Sequence, residues 1–570
     1  MTVQAGQLDT VTRAPATDDT QPLRLQLTPP PVQPLARAGM AALFVVIVGI
    51  LWYLYLQISR TLHVESDGAS NALQAWDMLH GNALLHGWTV TDVSFYTTEL
   101  PEYMIIEAWH GLNADVLHLA AALSYALLVP LAAVLAKGRA SGRTALIRML
   151  IAAGIMVAPQ PGPGAFILLF QPDHIGTQVP ILLTWLVLDR APRRWCTPIL
   201  VGIMLTWIGL ADQVILLAGV APLALVCGIR AFRRREAGYE LSLSAAAIIS
   251  VPVTAGATAV IHALGGYSVL PVGTGLARVG QLPAHLDLAG DGVLGLFGAS
   301  FQNAPHGWAL AFAIVHIAGI ALVAWGLCIA VRHFAAIDDI IVQVLTASII
   351  ITMAAYVASG KPSTYWSVRE IAGILPAGAV LAGRLLAPRI MAPRTAKPRL
   401  LAPGRQLAPR PLRPRWHAGG LLASGLAVVL AGYLGALGFA AAMPPASATG
   451  QDLVGWLKAH QLTYGISGYG LANAMTMASG NIVAVRPVVA EARRMAPGPH
   501  EYSLAWYDPR FHDARYLVLL THPAPLDPMT SRQARAAFGP PAHQYRYRGF
   551  LIMTWRQNLL AKLAPAIRSL

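Results

Sequence analysis

The sequence predicts a polytopic α-helical membrane protein, with about eleven transmembrane helices and a C-terminal extracytoplasmic α/β domain. Of its 570 residues, 55% are hydrophobic and only 12% are charged, which is about half the charge of a typical soluble protein. Apolar runs recur along most of the chain, and the short segments between them hold many of its basic residues. Soluble character returns only after residue 442.

The apolar runs have the length that a bilayer requires. A hydrocarbon core of about 30 Å needs roughly 20 helical residues. The third run ends at a PQPGPG turn, and only a short polar turn separates the fifth from the sixth, so either neighbouring pair could be re-entrant. The eleven runs are 39–59, 114–136, 145–158, 165–188, 196–210, 213–229, 241–264, 307–331, 339–358, 370–386 and 417–442.

The distribution of basic residues predicts the orientation. The basic clusters at 137–148, 190–194 and 230–235 are each two crossings apart, and Arg332 and the linker before the last run follow the same rule. All lie on one side if the N-terminus is cytoplasmic, as the positive-inside rule requires. The net charge of +14 therefore reflects membrane topology rather than nucleic-acid binding. We expect a multi-pass protein of the plasma (inner) membrane.

The predicted organisation has five parts. They are a disordered cytoplasmic tail (1–38), a transmembrane domain (39–386) with a large external loop (60–112), a basic, proline-rich cytoplasmic linker (387–416), a last transmembrane helix (417–442) and an extracytoplasmic α/β domain (443–570). In the last part, DLVGWLKAH has helical periodicity, and YGISGY, NIVAVRPVV, RYLVLLTHP and YRYRGFLIMTW have strand character. That alternation predicts a small α/β domain.

Several chemistries are unsupported by the sequence. The three cysteines form no CxxC pair and have no histidine at metal-ligand spacing, so zinc and a disulfide framework are not indicated. No GxSxG, HExxH, Walker loop or strand-linked GxGxxG occurs. ATP-driven transport is therefore unsupported.

The first external loop is the most informative segment. From residue 61 to 112 it contains no Lys or Arg but seven acids, with Asp77 and Glu107 expected at the surface of amphipathic helices. Gly68 is expected in a tight turn that leaves the Asp67 carboxylate at the outer membrane face. Residues 69–81 are expected to form a helix in the membrane interface, with Trp76 at headgroup depth. The alternative is a solvated loop whose acids only ensure translocation.

The chain has an acidic residue just after the first span, a juxtamembrane helix, many spans and an external C-terminal domain. In this combination it resembles the GT-C superfamily. These are integral-membrane glycosyltransferases that use polyprenyl-phosphate sugars. The architectural resemblance covers most of the chain, and its motif is ESDGASNALQAWDMLHGN. It implies a bacterial enzyme that transfers a hexosyl or pentosyl group from a polyprenyl-phosphate-linked donor to a glycan, lipid or protein acceptor, within membrane lipid and without nucleic acid. The composition is typical of a GC-rich genome and compatible with an actinobacterium.

Sugar transfer needs a carboxylate that accepts the proton of the acceptor hydroxyl. Asp67 is the preferred base. The common GT-C pattern has two adjacent acids where this chain has Glu65-Ser66-Asp67, so the choice stays open, with Glu65, Asp92 and Glu99 as further candidates. The resemblance also leaves the cofactor open, because some GT-C enzymes use a divalent cation and others do not.

A cation is also needed to stabilise the leaving phosphate. The segment GKPSTYWSVRE offers Lys361 and Arg369 on either side of Tyr365, although both cations could instead be anchors at a helix end. Asp173 and His174 could position the acceptor, although Asp173 could simply cap a helix. Two other classes remain open: a non-enzymatic transporter or flippase, and a cell-envelope assembly protein.

The predicted topology can be tested by cysteine accessibility. In intact cells, single cysteines introduced at 443–570 should be labelled by an impermeant reagent. Single cysteines introduced at 387–416 should be protected from it. Equal labelling of both segments would contradict the predicted topology.

Overall fold

The computed structural model describes residues 34–233, 237–270, 275–302, 307–391, 417–446, 449–491, 494–498, 501–522 and 527–565. The chain divides into a small unit, Met1–Val46, and a large unit, Ile47–Leu570. The first contains, among its described residues, only the start of the first helix. The predicted tail up to residue 33 and the linker at 392–416 lie outside the described residues.

The described part of the chain is mostly helical. A π-helical turn at Leu216–Val220 leads into α9, and a 3₁₀ helix at Tyr365–Ile371 precedes α14. The helices are α1 (Pro34–Ser59), α2 (Ser66–Leu79), α3 (Glu99–His110), α4 (Asp115–Lys137), α5 (Gly142–Met156), α6 (Pro163–Leu169), α7 (Ile175–Arg190), α8 (Cys196–Ala211), α9 (Ala221–Arg233), α10 (Gly238–Ala263), α11 (Leu282–Leu296), α12 (Gly307–Arg332), α13 (Ile340–Ala358), α14 (Ile374–Met391), α15 (His417–Ala441), α16 (Thr449–Ala459), α17 (Tyr469–Ala478) and α18 (Ser531–Phe538).

Every apolar run predicted from the sequence falls on a helix, the fourth being divided between α6 and α7. Six helical segments among the described residues are long and apolar enough to cross a membrane: α1, α4, α9 with its π-helical turn, α10, α12 and α13. The bent pair of the 3₁₀ helix and α14 would be a seventh. The count of eleven crossings is not confirmed, because helices such as α5, α7 and α8, of 15 to 16 residues, are short for a span.

The helical bundle is organised around α4, which packs against α5, α7 and α14. Alanines such as Ala122, Ala126 and Ala132 are fully buried on α4. Small side chains let neighbouring helix backbones approach closely, which is how apolar helices associate within a bilayer. The bundle therefore holds the ends of α4 and α7 in fixed positions.

The C-terminal region contains a six-stranded mixed sheet. Its order is β5-β4-β3-β7-β9-β8, and β3 is parallel to both β4 and β7. Helices α16 and α17 lie on either side of β3 in sequence, so the helix and strand segments predicted from this region are observed. The strands of the chain are β1 (Trp88–Val90), β2 (Ser268–Val269), β3 (Tyr464–Ser467), β4 (Ala484–Glu491), β5 (Arg494–Pro497), β6 (Tyr502–Ser503), β7 (Tyr516–Leu520), β8 (His543–Tyr547) and β9 (Phe550–Thr554).

A second, three-stranded sheet joins distant parts of the chain. Strand β1 of the first external loop pairs in parallel with β2 and antiparallel with β6 of the C-terminal region. Helix α2 packs against α3, α4 and α17. The C-terminal region is thereby bound to the first external loop, and α17 lies directly against the helix that carries Asp67.

Candidate active site

Asp67 lies in the first turn of α2, close to the positive end of the helix dipole, where a carboxylate is stabilised. The predicted helix at 69–81 is present, and it begins three residues earlier. Gly68 lies inside this helix and not in a tight turn, so that expectation is wrong. A Cβ at Gly68 would lie 2.7 Å from Gln171 Oε1 and 2.8 Å from Leu117 Cδ2. The glycine therefore permits close packing of α2 on the bundle.

The Asp67 carboxylate has two neighbours. Its Oδ1 accepts a hydrogen bond of 2.8 Å from the Tyr469 hydroxyl, on the first residue of α17. Its Oδ2 lies 3.7 Å from Arg369 Nη2, and the Asp67 side chain is 37% exposed. Among the described residues, Oδ2 accepts no hydrogen bond. This oxygen is therefore available to accept a proton from a bound molecule.

Tyr469 connects Asp67 to a buried acid, Glu501, which also contacts the Tyr469 hydroxyl. One hydroxyl proton cannot be donated to two carboxylates at once. Burial, with the charge of Asp67, raises the pKa of Glu501 well above its ordinary value. The charged form of Glu501 is therefore disfavoured, and in its protonated form Glu501 donates to the Tyr469 oxygen while Tyr469 donates to Asp67.

Arg369 is the cation nearest to Asp67. Its guanidinium lies over the Trp366 ring at 4.7 Å from the centroid and contacts Asp173 at 3.8 Å through Nη1. Both distances to carboxylates are longer than hydrogen bonds. Nη1 is buried and has no hydrogen-bond partner among the described residues. Because buried donors are nearly always bonded, this nitrogen has unused capacity for an anion.

Asp173 and His174 form the opposite wall. Asp173 accepts hydrogen bonds from Asn71 (3.0 Å) and Gln171 (2.6 Å). Burial raises the pKa of Asp173 to about 6, although the charges of Arg369 and His174 act in the other direction. Asp173 does not cap α7, because His174 occupies the N-cap position.

His174 donates toward the fully buried Asp212 at 2.7 Å. Burial alone lowers the pKa of His174, but the charge and hydrogen bond of Asp212 overcome it and raise the pKa to about 9. The imidazole is therefore a cation at neutral pH. Asp212 directly follows α8 as its C-cap residue, and its side chain is buried in the wall of the site.

These groups surround one cavity of about 430 Å³. Its wall comes from the first external loop, the start of α7, the turn after α8, the segment 352–371 and Glu501. Of the seven non-glycine residues with positive φ in the described part of the chain, Phe95, His174 and Glu501 line this cavity. Such strained backbone is concentrated at functional sites.

Comparison with known proteins identifies the fold. No protein family and no curated protein matches the sequence. The solved structure of ArnT from Cupriavidus metallidurans in the apo state matches with a TM-score of 0.51 and 15% identity, over 93% of this chain and 100% of that chain. ArnT is a GT-C glycosyltransferase. The chain shares the fold of ArnT.

Two structures of an oligosaccharyltransferase from Archaeoglobus fulgidus also match, each at 11% identity and a TM-score of 0.43. The first, a complex with zinc and sulfate, matches over 83% of this chain and 67% of that chain. The second, AglB with an inhibitory peptide and a dolichol-phosphate, matches over 84% and 69%.

The other predicted site residues have separate positions in the structure. Asp92 lines the cavity and pairs with Lys361 at 2.7 Å, and Lys361 also lies 3.8 Å from Glu370. Glu99 is fully buried and accepts from the backbone N–H and the hydroxyl of Thr177 at 2.7 and 2.8 Å. Asp67, Asp173, His174 and Arg369 are thus brought together, whereas Glu99 is enclosed behind α7.

Besides Glu99, two further predicted residues lie outside the cavity wall. Glu65 precedes α2, and burial together with the charge of Asp67 raises its pKa to about 7. Tyr365 packs beside Phe166, with ring centroids 6.0 Å apart, and its hydroxyl is buried without a partner among the described residues. Neither is among the residues that line the cavity.

A divalent cation does not fit the residues as placed. No group of three or more His, Cys, Asp or Glu side chains within the described ranges could hold a metal ion. The Arg369 guanidinium already lies between Asp67 and Asp173, at 3.7 and 3.8 Å from their carboxylates.

Sequence reasoning missed Tyr469, Glu501 and Glu370 as site residues. Tyr469 and Asp67 are separated by 402 positions. No local pattern pairs residues so far apart, and the only signal was the loop-and-helix segment GYGLANAMTMASGN that contains Tyr469. The positive φ of Glu501 is visible only in the folded chain.

Helix α3 carries further acids beside the site. Burial raises the pKa of Glu102 to about 8 and that of Glu107 to about 9. Glu107 was expected at the surface, but its side chain is 2% exposed, and that expectation is wrong. Neither Glu107 oxygen has a hydrogen-bond partner among the described residues. The group is therefore tolerated only in its neutral form.

Glu107→Gln should make folding stability less dependent on pH. A carboxyl whose pKa is raised in the folded state favours folding at low pH, and this contribution is lost as the pH rises from about 4.5 to about 9. At pH 8 the variant, which is always neutral, should melt higher than the parent by about 3 °C or more in a thermal-shift assay in detergent. The exposed Glu491→Gln is the control, and equal melting of variant and parent at pH 5 and pH 8 would refute this prediction.

Proposed function

We propose that this protein is a membrane glycosyltransferase that moves a sugar from a polyprenyl-phosphate donor to an acceptor at the outer membrane face. One observation carries the proposal: Asp67 and Arg369 line the same cavity, and within the described part of the chain one Asp67 oxygen accepts no hydrogen bond and one buried Arg369 nitrogen has no partner. The first can accept a proton and the second can bind a phosphate. Glycosyl transfer from a lipid phosphate needs both groups.

The surroundings of the cavity support an amphipathic donor. An apolar groove of about 550 Å³ runs between α8, the π-helical turn and α10, and it shares Gln213 and Leu216 with the polar cavity. π-Helical turns often occur at functional sites. An isoprenoid chain fits the apolar groove, and its phosphate would then lie in the polar cavity near Arg369.

In the proposed reaction, the acceptor hydroxyl gives its proton to Asp67 Oδ2 as its oxygen bonds to the anomeric carbon. The bond from that carbon to the phosphate oxygen breaks on the opposite side, which inverts the configuration. The electron pair leaves with the polyprenyl phosphate, whose added negative charge is balanced by Arg369 and by protonated His174. No step depends on a metal ion.

Glu501 and Tyr469 support the base without contacting the sugar. The Tyr469 hydroxyl fixes Asp67 Oδ1, which leaves Oδ2 directed to the acceptor. The proposal includes about eleven crossings with the C-terminal region extracytoplasmic, because only then does the cavity open at the outer face. The acceptor is a glycan, lipid or protein hydroxyl.

Asp67→Asn tests the base directly. The substitution keeps the size of the side chain but removes the proton acceptor, so transfer should fall by about 10²–10⁴-fold. The assay uses purified protein with a panel of polyprenyl-phosphate sugars. Asp287→Asn, the same substitution at an exposed position of α11, is the matched control and should retain full activity.

Two outcomes would count against this assignment. If Asp67→Asn retains transfer while Asp92→Asn or Glu99→Gln loses it, the activity stands and the base is a different carboxylate. If no sugar is transferred by the parent, or if all the loop carboxylates are dispensable, the enzyme proposal fails and a transport or assembly function replaces it.

Arg369 and Lys361 should differ in their effects on the donor. Lys361 already pairs with Asp92 at 2.7 Å, whereas Arg369 contacts its carboxylates only at 3.7 and 3.8 Å. Arg369→Ala should therefore raise the KM for the donor at least about tenfold, as expected when a charge-assisted bond to phosphate is lost. Lys361→Ala should have a smaller effect, and the reverse order in steady-state kinetics would make Lys361, not Arg369, the main phosphate ligand.

A further inference from the structure

A second polar cavity, of about 510 Å³, lies at the other end of the helical bundle. Its lining residues come from the segments where α4, α7 and α9 end and where α10 and α13 begin, together with Arg148 of α5 and Arg384 of α14. Helix α4 begins near the candidate site and has 23 residues. At 1.5 Å per residue, about 35 Å separates the two cavities along this helix. The second cavity is therefore distinct from the site described above.

Arginines dominate its wall, and three of the five have carboxylate partners. Arg384 is almost fully buried and pairs with Asp189 at 2.9 Å and Asp339 at 2.8 Å. The other two pairs are Arg230 with Asp338 (3.5 Å) and Arg193 with Glu240 (3.1 Å). Each of these four acids therefore forms an ion pair with one of the three arginines.

The remaining two arginines are Arg139 and Arg148. Arg139 donates to the Asp189 backbone carbonyl at 3.2 Å, and Arg148 donates to that of Lys137 at 3.4 Å. Neither has a carboxylate within 4 Å among the described residues. The Nε of Arg148 is buried and has no hydrogen-bond partner in that part of the chain. Two uncompensated guanidinium groups therefore share one cavity.

Exposed aromatic residues lie next to this cavity in sequence. Trp195 is 79% exposed and follows Arg193 by two positions, and Phe232 is 94% exposed and follows Arg230 by two. Large exposed aromatic side chains at helix ends are typical of the membrane–water interface. The exposed Trp195 therefore favours a position of this end of the bundle near the lipid headgroups.

We propose that this cavity binds a phosphate group, carried either by an anionic lipid headgroup or by a free phosphate ion. Arginine presents forked donors that match phosphate oxygens, and basic pockets between membrane helices bind anionic lipid headgroups. A phosphate there is attracted by the charges of Arg139 and Arg148, both of which line the cavity. The site is independent of the proposed glycosyl transfer.

The test compares two sources of phosphate on the full chain purified in detergent. Native mass spectrometry with phosphatidylglycerol against phosphatidylcholine measures lipid binding. Thermal stability in inorganic phosphate against chloride at equal ionic strength measures binding of the free ion. The double variant Arg139→Ala/Arg148→Ala should weaken the affinity for the lipid or for free phosphate by at least about tenfold. Each basic residue near the membrane surface contributes several-fold to such affinity.

Arg143→Ala is the matched control, because Arg143 is an exposed arginine of the same segment that does not line the cavity. Arg139→Ala alone changes an exposed side chain, so it keeps the test valid if the double variant does not fold. Preference for phosphatidylglycerol identifies a lipid site, and stabilisation by phosphate alone identifies an ion site. Absence of both, or equal loss in Arg143→Ala, overturns the proposal and leaves the arginines as determinants of topology.

Discussion

The packing of α2 between the helical bundle and the C-terminal region determines where the polar side chains of the cavity lie. Gly68 allows α2 to approach Gln171 and Leu117 of the bundle. On its other side, Ser70 donates to the Glu501 carbonyl at 3.4 Å, and Asn473 of α17 donates to the same oxygen at 3.3 Å. Because α2 is held from both sides, Asp67 has a defined position at its first turn.

The contacts around the cavity also explain why several acidic side chains are tolerated in buried positions. Burial penalises a charged carboxylate unless a partner compensates for it. Asp212 is compensated by His174 at 2.7 Å and Asp92 by Lys361 at 2.7 Å. Glu107 has no such partner within the described ranges, and its pKa is raised to about 9. Asp67 differs from these acids, because it is the most exposed of them and one of its oxygens accepts no hydrogen bond from any described residue.

The two ends of the bundle have opposite electrostatic character. At the end near α2, carboxylates outnumber cations around the cavity. At the other end, Arg384 pairs with two aspartates. Arg139 and Arg148 line the same cavity and have no carboxylate within 4 Å among the described residues. The same charge asymmetry that predicts orientation from the sequence thus surrounds two cavities of opposite charge when the helices pack.

The sequence by itself determined the helices, the C-terminal strands and the acidic loop, because hydrophobic run length and periodicity are local properties of the chain. It also indicated Asp67, since that acid directly follows the first span. Only the tertiary structure decided that Tyr469 and Glu501 meet Asp67 and that Glu107 is buried. Hydrogen bonds across 402 positions and the burial of a single acid depend on which helix faces touch, and local sequence patterns contain no information on those contacts.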